Sequence, residues 1–120
     1  MTPERTYQDY LSDILDAIEK IAQFIQGMTF DQFAQDHKTF FAVIRALEII
    51  GEATKNISAE IRVSHPEIPW RQMAGMRDKL IHDYSGVNLT VVWNAALDEL
   101  PKLKPAIRQV LAEITQREKS

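Results

Sequence analysis

An all-α fold, an up-and-down antiparallel bundle of four to five helices, follows from three observations on this 120-residue chain. Apolar residues recur at helical spacing almost throughout. No segment alternates convincingly with period two. The breaks between apolar stripes are short and marked by proline, glycine or a capping residue, so consecutive helices return alongside one another.

Taken in order, Thr2-Pro3-Glu4 reads as an N-cap, a proline at the first helical position and an early acid. Tyr7, Tyr10, Leu11, Ile14, Ile18, Ile21 and Ile25 then form one stripe, which Gly27 ends. Thr29-x-x-Gln32 has the form of a capping box opening a second helical region. Phe40, Val43, Ile44, Leu47, Ile50 and Ile57 give that region its buried face, from about Asp36 to Asn56. His65-Pro66-Glu67-Ile68-Pro69 is a break, because each proline biases its predecessor away from the helical region. Pro69 can open the next helix, with Trp70, Met73, Met76, Leu80 and Ile81, and Ser85-Gly86 closes it. Asn88 caps a further helix carrying Val92, Trp93, Ala96, Leu97 and Leu100. Pro101 is expected to break or kink it and Pro105 to distort the start of the last helix, while Leu103, Ile107, Val110, Leu111 and Ile114 continue the stripe. Trp70 and Trp93 read as core anchors. Gly51 and Gly75 fall inside helical patterns, where glycine costs about 1 kcal/mol; close approach of a neighbouring helix is the expected compensation.

The bulk composition bounds the class. A chain 45% hydrophobic and 26% charged has the balance of a globular protein, and at this length it reads as one domain, residues 1–120. It has no cysteine, which excludes disulfides and thiolate metal sites. Its beginning lacks the apolar core of a signal peptide, and no stretch approaches the ~20 apolar residues of a membrane span. The expectation is a soluble, cytoplasmic protein. A net charge of −3 argues against a general nucleic-acid coat. Its distribution is uneven: residues 1–60 carry a balance of −5 and residues 61–120 a balance of +2.

In the basic half, Arg77-Asp78-Lys79-Leu80-Ile81-His82-Asp83-Tyr84 contains the pattern R-x4-H-x-Y. Seven Arg, three His and three Tyr in this chain predict roughly 0.004 chance occurrences, so the triplet is informative where R-x4-H alone is not. It groups a cation, a titratable imidazole and a phenol at a helix end. On a regular helix Arg77 and His82 are about 140° apart round the axis, whereas Arg77 and Tyr84 are nearly eclipsed. A compact site therefore needs a distorted last turn or the equivalent helix of a second subunit. The plain structural reading is a histidine in a last turn, an arginine paired with an acid and a tyrosine packed at a bundle end. His37 and His65 have no partner at useful spacing and read as surface residues. No metalloprotease helix motif, nucleophile elbow or glycine-rich phosphate loop is present.

Together with Tyr10-Leu11-Ser12-Asp13-Ile14-Leu15, Ile50-Gly51-Glu52-Ala53, the His65–Trp70 break and Val91-Val92-Trp93, this pattern resembles HEPN-domain proteins of the HepT toxin type over roughly Tyr7 to Ile114. The resemblance implies a helical homodimer with the R-x4-H segments of two subunits facing each other. It implies a metal-independent endoribonuclease, without cofactor, that cleaves RNA rather than DNA, stays off the membrane and is the toxin of a type VII-like toxin–antitoxin pair. The antitoxin is a minimal nucleotidyltransferase that adenylylates the motif tyrosine, here Tyr84. Arg77 and His82 map to the catalytic positions, with Asp78 and Lys79 in support. One departure stands out: the residue after the motif arginine is often Asn, and Asp78 adds negative charge where a phosphate binds. The alternative is a non-catalytic helical module that binds and restrains a nucleotidyltransferase.

Overall fold

A computed structural model of the chain describes residues 4–82 and 88–119, the side chains at 77–82 and 119 excepted. Its described residues form helices and short connections without a strand, as the apolar periodicity requires.

Helix α1, Tyr7–Ile25, starts later than Thr2-Pro3-Glu4 suggests. Glu4 to Thr6 are not helical, and residues 1–3 lie outside the described residues. The cap is Thr6: its hydroxyl accepts from the Asp9 N–H at 3.2 Å, and the Asp9 carboxylate accepts from the Thr6 N–H at 2.9 Å. A complete box satisfies two orphan donors, which a lone N-terminal threonine cannot. The helix ends where Gly27 takes φ +75°, a left-handed conformation that favours glycine.

Helix α2, Phe30–Gln35, opens on the expected box, with Thr29 and Gln32 exchanging bonds of 2.9 and 3.2 Å. The second helical region is not continuous, however. At Asp36, ψ is 89°, so α2 ends and α3, His37–Lys55, begins on the same residue. The Asp36 backbone N–H donates back to Gln32 and Phe33, while its carboxylate accepts from the Thr39 N–H at 3.0 Å and the Thr39 hydroxyl at 2.8 Å. The Thr39 backbone N–H, then its hydroxyl, holds the Asp36 carboxyl below its ordinary value of 3.8. A depressed carboxyl contributes stability that is present above the unfolded value and lost as pH falls through the folded one. Thermal melts of the wild type should therefore lose stability below about pH 4. Asp36→Asn should flatten that loss, and an unchanged acid slope would show that this cap does not contribute.

Helix α4, Ala59–Ser64, has no apolar stripe of its own and is set by Ser58, whose hydroxyl accepts from Ile61 N–H. Within it, Arg62 donates to the carbonyls of Thr54 (2.7 Å) and Ile57 (3.2 Å), satisfying the end of α3. The proline break comes next, as expected. Helix α5, Trp70–His82, begins one residue after Pro69, whose carbonyl accepts from Met73 N–H. The expected stop at Ser85-Gly86 lies outside the described residues.

Helix α6, Leu89–Asn94, is capped by Asn88 as predicted; its side chain accepts from the Thr90 and Val91 N–H groups. Pro101 does not break the chain. One wider turn at Ala95–Glu99, closed by Leu100 N–H to Ala95 O, leads without interruption into α7, Leu100–Lys119. The π-type turn moves the carbonyls that the Pro101 ring would otherwise meet, so the helix absorbs the proline. Pro105 sits inside α7, also without ending it.

Helix α1 is the central element. Glu19, late in α1, pairs with Lys104, early in α7. Tyr10 and Asp13, early in α1, share a cleft with Ile49, Glu52 and Asn56, late in α3. Both neighbours therefore run antiparallel to α1. Leu11, Ile14 and Ile21 of α1 meet Val43 and Ile50 of α3 and Ile107 and Val110 of α7 in a core where all are fully buried. Burial of such side chains, at about 1.5–3 kcal/mol each, is the main term favouring the bundle.

Candidate functional site

Helix α5 carries the motif, and its first half shows how it is held. Trp70 and Met73 are buried against the core. The Trp70 indole N–H, which must find an acceptor once buried, donates to His65 O at 2.9 Å. Both tryptophans are thus core anchors, as expected. From this fixed start α5 stays α-helical through His82. Arg77, Asp78, Lys79 and His82 occupy its last turns, and the angular separation of Arg77 and His82 is kept rather than relieved by a distorted turn. Their side chains, and Tyr84 altogether, lie outside the described residues.

The far side of the motif is also anchored. After residues 83–87, Asn88 caps α6, and Trp93 is buried between Phe30 and Phe33, with ring centroids 6.2 and 5.2 Å away. Phe33 in turn meets Phe40 edge-on at 6.0 Å. This cluster ties α2, α3 and α6 together, so the motif segment connects two elements that the core positions independently.

Two features passed over in the sequence stand near the start of α5. An open cleft of about 480 Å³ is lined by Arg62, Glu67, Arg71 and Gln72, among others. Arg71 is exposed, while Arg62 is held by its two carbonyl acceptors. The available signal was that residues 68–77 contain no acid. The second feature corrects the reading of His65. It is 14% exposed, with Nε2 3.1 Å from Glu113 of α7 and Nδ1 3.6 Å from Glu67. It joins the break to α7, a partnership between distant parts of the chain that local spacing cannot reveal. His37 is exposed, as expected. The cleft between α1 and α3, about 310 Å³, contains Asp13, Glu48 and Glu52 against Arg45; its acidic balance disfavours a phosphate backbone. Among the described residues no group of three or more His, Cys, Asp or Glu could hold a metal ion, and no helix is long and apolar enough to cross a membrane.

The sequence profile of the family described as Ribonuclease HepT-like matches residues 14–110. The chain belongs to the HepT-like ribonuclease family. Its similarity to individual members is extensive. It is 55% identical over 101 residues to the "Probable ribonuclease HepT" of Thermococcus cleftensis, covering 84% of this chain and 92% of that protein. A protein of Caldanaerobacter subterraneus subsp. tengcongensis, named as a candidate RNase, is 42% identical over 107 residues, covering 89% and 96% respectively. No solved structure gives a significant match. For a HepT-like ribonuclease, the fold described above is the all-α bundle that the resemblance implied, and α5 carries the Arg77 and His82 positions of the R-x4-H-x-Y pattern.

Proposed function

We propose that this HepT-like chain is a metal-independent endoribonuclease, the toxin of a type VII-like toxin–antitoxin pair. It works as a cytoplasmic homodimer on RNA and is silenced when a minimal nucleotidyltransferase adenylylates Tyr84. The observation that carries the reading is the R-x4-H-x-Y pattern, its Arg77 and His82 positions in the last turns of α5, in a member of a ribonuclease family. Because α5 remains regular through His82, the two catalytic positions face different ways, which favours completion of the site by a second copy across a two-fold axis.

The chemistry needs a nucleophile that RNA itself supplies. The 2′-oxygen attacks the adjacent phosphorus while its proton passes to the neutral imidazole of His82. Arg77 stabilises the charge that builds on the phosphorane oxygens, a task suited to a bidentate guanidinium. The P–O5′ bond then breaks, and the leaving 5′-oxygen takes a proton from an imidazolium. The products end in a 2′,3′-cyclic phosphate and a 5′-hydroxyl. Lys79 adds positive charge to this region and Asp78 subtracts it. In adenylylation the Tyr84 phenolic oxygen bonds to the α-phosphorus of ATP and pyrophosphate leaves. The resulting phosphodiester places bulk and a negative charge beside Arg77, where it repels an RNA backbone.

Inducing the wild-type chain should arrest growth and create cyclic-phosphate RNA ends. Arg77→Ala should do neither. Tyr84→Phe should leave an arrest that co-expression of the cognate nucleotidyltransferase no longer relieves. Arrest that survives Arg77→Ala with unchanged RNA ends would instead favour the interaction-module reading.

A further inference from the structure

The backbone and the side chain of His65 are tied to different helices. Its N–H donates to Arg62 O at 3.2 Å and closes α4. Its carbonyl accepts from the Ile68 N–H at 3.2 Å and from the Trp70 indole N–H at 2.9 Å. That indole belongs to the first residue of α5, so this one carbonyl helps to hold the start of the helix. The imidazole reaches the other way. Its Nε2 is 3.1 Å from the Glu113 carboxylate on α7, and with the side chain only 14% exposed the ring has little room to leave. Glu67, 3.6 Å from Nδ1, is beyond hydrogen-bond reach.

The arrangement of the bundle gives this junction a mechanical consequence. Helix α5 packs chiefly on α3, and α7 chiefly on α1. Contact along one neighbouring helix resists separation but leaves rocking about that helix. A second attachment, to a different helix, removes the freedom. The His65–Glu113 contact supplies one at the start of α5.

A small rock at the start becomes a large error at the end. From Trp70 to His82 α5 rises about 18 Å, so a tilt of about 3° displaces its end by about 1 Å. A misplacement of that size, caused far from the chemistry, can cost about 10²-fold in rate. Arg77 and His82 occupy the last turns of this lever.

We infer that His65 is a positioning residue for RNA cleavage: held by Glu113, it fixes the start of α5 and with it the placement of Arg77 and His82. The inference rests on the ribonuclease reading and adds to it a residue that acts through the motif rather than on the RNA. A histidine kept only for stability would change Tm and leave the turnover of folded protein as it was.

The test measures kcat and KM on a single-stranded RNA with the purified full-length chain and its variants, well below Tm and near neutral pH. His65→Ala should lower kcat about tenfold or more while KM moves less than about threefold. His65→Gln ends in an amide at the place of Nε2 and should restore most of kcat. His65→Asn reaches only the place of Nδ1 and should not. Glu113→Ala, on the more exposed side of the contact, should match His65→Ala, and the double variant should lose no more than either alone. The Trp70 indole N–H gives a second readout, since none of these substitutions removes the carbonyl that accepts from it. Its NMR signal should exchange faster with water in both alanine variants and not in His65→Gln. Wild-type kcat in both alanine variants, with or without a lower Tm, would overturn the positioning role and leave the ribonuclease reading standing. Losses that add in the double variant, or a His65→Gln chain as slow as His65→Ala, would overturn it too. A wild-type chain that does not cut RNA would overturn both readings.

Discussion

His82→Ala is expected to slow RNA cleavage by about 10²–10⁴-fold, the usual contribution of a positioned general acid–base group. In the proposed mechanism the 2′-hydroxyl attacks internally, and that attack stalls without a base at the proton. The loss should fall on kcat, since the imidazole acts on the proton in flight more than on the bound strand. Far-UV circular dichroism should show the helical content retained, because α5 is held in the core by Trp70 and Met73, well before the motif. His82→Gln separates proton transfer from shape, keeping a polar side chain that cannot exchange a proton near neutral pH. Cleavage by either variant at more than about a tenth of the wild-type rate would remove His82 from the chemistry.

Phe33→Ala should cost about 3–5 kcal/mol, a large part of the ~5–15 kcal/mol that a domain of this size commands. Phe33 is fully buried and packs against both Trp93 and Phe40. Truncation leaves a cavity where α2, α3 and α6 meet and removes one ring contact from each of Trp93, which keeps Phe30, and Phe40, which keeps Phe41. Chemical denaturation with an unchanged m-value should show this as a lower midpoint. Phe33→Leu should recover part of it, since less volume is lost. Because α6 comes directly after the motif segment, the truncated chain should also lose ribonuclease activity as it approaches its melting temperature. A loss below about 1 kcal/mol would mean that the aromatic cluster is not what ties α6 to the bundle.

Much of this structure was legible because its signals are local. The capping box at Thr29 and Gln32 and the Asn88 cap are sequence patterns that satisfy orphan N–H groups within three residues of themselves. The stripe of α1 and the burial of Trp70 and Trp93 follow from periodicity and size. The errors have equally definite causes. Helix α1 opens after Thr6 rather than at Glu4, and Asp9 completes the Thr6 box. Asp36 divided one expected helix into two by serving both sides. Pro101 did not break the helix; a local distortion, the π-type turn at Ala95–Glu99, precedes it, and α6 and α7 on either side bury apolar faces in the same core.

The candidate site divides along the same line. R-x4-H-x-Y and the charge difference between the two halves are properties of the amino-acid order, and with the wider series of motifs they were enough to indicate a ribonuclease family. Order alone also set the angle between Arg77 and His82, about 140° once a helix was granted. Whether that helix bends was a tertiary matter: α5 is pinned by Trp70 and Met73 and continues regularly through His82. Only the fold joined His65 to Glu113 and set the anchored Arg62 beside Arg71. Local patterns specify what a segment can form because the hydrogen bonds involved close within a few residues. Which surfaces remain open depends on how distant segments pack, and packing energy is shared among residues that are far apart in the chain.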